Sequence, residues 1–147
     1  MRSFIFAAAV GVTVSSTALA GPKEDALQVL EQWANAFAAS DVDAIVKLYA
    51  PDALFMGTGS KEVVTETAAI RKYFEDALLT RRPRAAPISS QHVMVLSDNA
   101  VLVTGLKESM GVQDGKPFSN PGRVTFVFAK RGPDWRIVHF HRSAMPR

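Results

Sequence analysis

Two apolar runs near the carboxyl end of this 147-residue chain contain side chains able to bind anions or move protons. Arg123 and Thr125 interrupt the run Arg123–Lys130, and His139 and His141 interrupt the run Trp135–Ser143. A strand sends alternate side chains to opposite faces. Strict alternation therefore groups Ile137, His139 and His141 against Val138, Phe140 and Arg142, and Arg123, Thr125 and Val127 against Val124, Phe126 and Phe128. The polar set either lines a cavity or lies on a solvated or dimer surface, with the apolar set turned inward. Inside a cavity, Arg123 needs an anionic partner, because an unpaired buried cation is costly. No acid shares its face locally. Its fork can grip a ligand carboxylate in bidentate fashion, pair with Asp41, Asp52 or Glu75 from a helical region, or stay exposed beside Pro121-Gly122.

His141 is the candidate proton carrier if a carboxylate stands beside it. Asp41, Asp52, Glu66 and Glu108 are the possible acids, with His141 and Asp52 as the candidate catalytic pair; otherwise His141 is a strand histidine satisfied by a neighbouring hydroxyl or carbonyl. Two histidines at i and i+2 can chelate a metal. The only other histidine is His92, there is no cysteine, and no carboxylate spacing completes a ligand set, so no metal site is expected. The chain has no nucleophile elbow, HExxH pair, phosphate loop, dinucleotide fingerprint or kinase catalytic loop, so no cofactor is expected either.

The elements that must position these groups follow from periodicity. From Lys23 to Ala39, Leu27, Leu30, Trp33 or Ala34, and Phe37 recur at steps of three and four, one stripe of an amphipathic helix. Ser40 with Asp43 resembles a capping box opening a second helix through Ile45, Leu48 and Tyr49, which Pro51 ends. Leu54-Phe55-Met56 is a short strand, and Thr65 or Thr67 caps a third helix with Ile70, Tyr73, Phe74, Ala77 and Leu78 inward. Strands follow over His92–Leu96, Ala100–Met110, Arg123–Lys130 and Trp135–Ser143, separated by turn-forming clusters. Helices first and an antiparallel meander afterwards is the order of an α+β domain. Trp33, Tyr49, Phe55, Tyr73 and Phe74 read as core, with Trp33, Tyr49 and Tyr73 carrying polar ends that can reach a ligand.

Ahead of the helices, Arg2, the apolar run Phe4–Val14 and Ala18-Leu19-Ala20 follow the grammar of a secretory signal. The apolar core falls short of the roughly 20 residues of a spanning helix, so no stable membrane anchor is expected. The expected division is a signal peptide over 1–20, cleaved near Ala20, and a single domain over 21–147, exported to the periplasm or the exterior. The net charge is only +3, with Arg2 contributing to it, too little to argue for nucleic acid. The one basic run, Arg81-Arg82-Pro83-Arg84, reads as a solvated helix end.

The local wording resembles the nuclear transport factor 2-like superfamily, and within it SnoaL-like and SgcJ/EcaC-type proteins and the association domain of calcium/calmodulin-dependent protein kinase II. The residues that carry the resemblance are Trp33–Ala36, Leu48–Ala53, Ile70–Phe74, Arg123–Phe128 and Trp135–Ser143. It implies a curved antiparallel sheet wrapped by three helices into a cone (a cystatin-like roll) with an internal cavity. It also implies self-association as dimers or larger rings, and it turns Arg123 and His141 inward. No single activity is implied, because this cone hosts isomerases, cyclases, epoxide hydrolases, dehydratases and non-catalytic assembly or ligand-binding domains. The expectation is an exported binding and oligomerising module holding a polar or anionic small molecule through Arg123, His141, Thr125, His139, Trp33, Tyr49 and Tyr73. The alternative is a SnoaL-like enzyme in which His141 and a pocket carboxylate move a proton.

Overall fold

A computed structural model describes residues 21–80 and 84–147. The expected signal peptide and its cleavage point lie outside the described residues, as do Arg81, Arg82 and Pro83 of the basic run.

Helix α1 (Pro22–Ala39) starts with proline in its first turn, where a missing N–H costs nothing, and with Glu24 and Asp25 at its positive end. It buries Ala26, Val29, Leu30, Trp33, Ala36 and Phe37. Ser40 ends it in a left-handed conformation (φ 56°) and is itself buried, so it is not the cap of the next helix. That role falls to Asp41, whose carboxylate accepts from the Ala44 N–H at 2.9 Å at the start of α2 (Val42–Lys47). Helix α3 (Thr67–Leu78) opens after Glu66 without a side-chain cap, so neither Thr65 nor Thr67 caps it. Its Ile70, Phe74 and Leu78 are buried as the spacing predicts.

Strand β1 (Tyr49–Met56) begins earlier than the sequence suggests and runs through Pro51, which marks an irregularity in its pairing. The remaining strands are β2 (Arg84–Ala85), β3 (Ile88–Ser97), β4 (Ala100–Gln113), β5 (Lys116–Arg131) and β6 (Asp134–Ala144). They form one curved, unclosed sheet in the order β1-β6-β5-β4-β2, with β3 also pairing β4. The meander from β3 to β6 is antiparallel, but β1 lies parallel to β6, so the sheet is mixed. Helix α3 and strand β2 stand between β1 and the meander, so β1 is not joined to it by a hairpin turn.

The core lies between the helices and one sheet face, which supplies Phe55, Val101, Val103, Val124, Phe126, Phe128, Ile137 and Phe140. A bulge qualifies the expected alternation in β6. Phe128 pairs with Ile137 while Val127 pairs with His139, so Val138 is the extra residue. Ile137 consequently belongs to the buried set with Phe140, and His139 does not.

Candidate functional site

The same face that builds the core carries, at one end, two basic side chains where the periodicity calls for apolar ones, and a third reaches the same place from β2. On β4, Lys107 and Ser109 continue the inward parity of Val101 and Val103. On β6, Arg142 continues the parity of Phe140. Arg84 enters from β2, donating to the Ala77 carbonyl at the end of α3 and standing over the Phe37 ring at 4.9 Å and the Phe118 ring at 5.6 Å. Between them and the helices is a cavity of about 430 Å³. Trp33, Phe37, Tyr73, Phe74, Phe118 and Phe140 line its apolar part.

Each cation is held differently. Lys107 is 2% exposed and donates to Ser109 Oγ at 2.7 Å. Its ammonium lies 4.5 Å from the centre of the Phe37 ring and 5.5 Å from that of Trp33, within cation–π range. Burial, reinforced by Arg142 and Arg84, lowers its pKa to about 7. Arg142 is 6% exposed. Its Nη1 donates to Thr58 Oγ1 and its Nη2 to the Asn120 carbonyl at 2.6 Å, while buried Nε has no hydrogen-bond partner among the described residues. The acid on the lining is Asp76, an exposed side chain engaged by Lys72 at 3.0 Å. Two glycines make this packing feasible. A Cβ on Gly57 would fall 2.2 Å from the Tyr73 ring, and one on Gly122 would fall 2.9 Å from Arg142 Nη2.

Of the residues singled out from the sequence, Trp33 and Tyr73 line the cavity. Tyr49 is buried behind it, accepting from Trp33 Nε1 at 3.3 Å, and burial raises its pKa well above the ordinary tyrosine value. Burial also raises that of Tyr73. The inward placement of Arg123 and His141 is overturned: both are exposed, on the sheet face away from the helices. Thr125 and His139 share that outer face, half-buried. Arg123 donates to Ser143 Oγ at 3.2 Å, and Thr125 shares a 2.9 Å hydroxyl contact with Thr104. Burial, then the neighbouring His141, lowers the His139 pKa. The reason for the inversion is packing. The helices cover the more apolar of the two faces, and Arg142 is carried inward with Phe140.

The catalytic pair does not meet. Asp52 is exposed and forms a two-point contact with Arg131 at 2.8 and 3.1 Å, which holds its pKa below the usual carboxylate range. Asp41 caps α2, Glu66 precedes α3 and Glu108 accepts from Ser119; none lines the cavity. Among the described residues no group of three His, Asp or Glu side chains is placed to hold a metal. Lys107 and Arg142 were detectable in principle, as cations with the parity of the most apolar positions of their strands.

A family model described as the SnoaL-like domain matches residues 26–147. The delta subunit of rabbit (Oryctolagus cuniculus) calcium/calmodulin-dependent protein kinase type II is 26% identical over 137 residues, covering 91% of this chain and 26% of that protein. The chain thus spans about a quarter of that relative's length. A Xanthomonas campestris structure assigned as a calcium/calmodulin-dependent protein kinase II association domain superposes with a TM-score of 0.77 at 28% identity, covering 92% of this chain and 99% of that one. A structure from Streptomyces avermitilis assigned as a dehydratase of the nuclear transport factor 2-like family gives 0.74 at 15% identity, covering 84% and 97%, a likeness of fold.

Proposed function

This chain belongs to the SnoaL-like family, and on that premise we propose that it is an exported, self-associating module whose cavity holds a small organic anion. The observation that carries the reading is the state of Lys107 and Arg142. Arg142 is a buried cation whose hydrogen bonds, among the described residues, go to neutral oxygens. The Lys107 amine near it is buried against a hydroxyl and takes on charge only below about pH 7. A buried cation without a counter-charge costs several kcal/mol, and an anion entering the cavity would offset that cost. A carboxylate suits the fork of Arg142, and the aromatic walls suit an apolar body behind it.

Calorimetry with small carboxylates, benzoate among them, tests the pocket. Binding by the wild-type protein that weakens at least about tenfold in Arg142→Gln supports the reading. Binding by neither protein, or equal binding by both, overturns it.

Self-association rests on the outer sheet face, where Leu54, Met94 and Leu106 are exposed, and on the likeness to association domains. Export rests on the amino-terminal pattern of residues 1–20. Sequencing of the protein recovered outside the cytoplasm is expected to begin near Gly21, and a chain that still starts at Met1 overturns it.

A further inference from the structure

We propose that Lys107 is a nucleophilic amine that forms an imine with a small carbonyl compound bearing a carboxylate, of the 2-oxo acid class. The inference rests on the anion reading of the cavity, since Arg142 would grip the carboxylate while the carbonyl faces Lys107.

The placement of Lys107 is unusual for a structural lysine. Such residues run their stems along apolar surface and keep the ammonium in water or against an acid. Here the amine is enclosed, with Ser109 Oγ as its polar contact and the faces of Phe37 and Trp33 beside it. The titratable or charged groups lining the same cavity are Arg84 from β2, Arg142 from β6, and Tyr73 and Asp76 from α3. Asp76 is engaged by Lys72 outside, so the near field is set by the two guanidinium groups. An apolar enclosure with neighbouring cations is the setting that keeps a lysine amine unprotonated and nucleophilic near neutrality. The pKa of about 7 agrees with that geometry.

The step balances without an oxidant or reductant. The Lys107 lone pair attacks the carbonyl carbon, a C–N bond forms, and the carbonyl π electrons move to oxygen, which takes up one of the two amine protons. Loss of water then removes that oxygen and the two amine hydrogens and leaves a C=N bond. The polarised imine withdraws electrons from the adjacent carbon, the basis of proton or carboxyl exchange there.

The experiment incubates wild-type protein with pyruvate or phenylpyruvate, adds borohydride, and maps the product by intact mass and peptide sequencing. The expected result is one adduct, heavier by the keto acid less one oxygen, on Lys107. It should form at least about ten times faster there than on the exposed Lys72 or Lys116, with a half-maximal rate near pH 7. Lys107→Met should lose it while retaining its fold by circular dichroism; the peptide map decides the matter in wild type if that variant does not fold. Benzoate calorimetry runs in parallel. Benzoate binding without preferential trapping on Lys107 overturns the imine alone. Neither binding nor trapping overturns the imine and the anion pocket together. Trapping on Lys107 without benzoate binding supports the amine's role and overturns the carboxylate grip.

Discussion

At Lys107, folding places an amine that water would keep protonated into surroundings that favour its neutral form. The folded pKa is about 7, against an ordinary value of 10.5. Between those values the unfolded chain binds more protons than the folded one, so this residue makes stability rise with pH from about 7 to 10.5. Below about 7 its contribution stays at its least favourable and no longer changes. Lys107→Met is therefore expected to raise Tm near pH 7 by ~5 °C and to lose that advantage towards pH 10.5. Thermal melts of both proteins across that range check it, and a gain independent of pH would contradict the account. Arg142 differs because a guanidinium does not escape its charge by deprotonating. Arg142→Gln should cost little stability, since it removes a buried cation along with its two hydrogen bonds, while weakening carboxylate binding at least about tenfold. Titration and melting of one preparation separate the two effects.

The elements aim these side chains through a few close approaches. The Gly122 position faces the Arg142 guanidinium, with the Ser143 carbonyl 2.5 Å from where a Cβ would stand. Gly122→Ala should consequently displace Arg142 from Asn120, lower stability by ~1–3 kcal/mol and weaken carboxylate binding, as measured by denaturant unfolding and calorimetry. Gly57→Ala acts from the opposite wall by displacing the Tyr73 ring. Much of this level was legible in the sequence: the stripe of α1, the inward set of α3 and the hairpins from β3 to β6. The Val138 bulge was not, since an extra residue inside an apolar strand leaves no mark of composition. The parallel pairing of β1 with β6 was equally hidden, because it joins segments some ninety residues apart.

For the whole molecule, the helices cover one sheet face and leave the other to solvent. On that outer face Leu54 pairs in register with His139, Leu102 with Val127 and Leu106 with Arg123, so apolar and polar groups alternate across it. Joining two such faces would bury Leu54 and Leu106 and bring Arg123, His139 and His141 to the contact. Leu54→Glu with Leu106→Glu is expected to turn the proposed assembly into monomers by sedimentation while leaving benzoate binding intact. A variant that stays assembled would move the interface elsewhere.

By itself the sequence determined the segregated α+β order, the positions of most helices and strands, and the division of the last strands into two faces. Those features depend on local spacing, which a one-dimensional pattern contains. Only the tertiary structure decided which face lies inside. That outcome depends on where the helices find the larger apolar area, a sum over Val101, Val103, Val124, Phe126, Phe128 and Phe140 that three strands assemble together. The same sum pulled Lys107 and Arg142 inward and left Arg123 and His141 outside, so the cavity's charge comes from the face that local reading takes as hydrophobic.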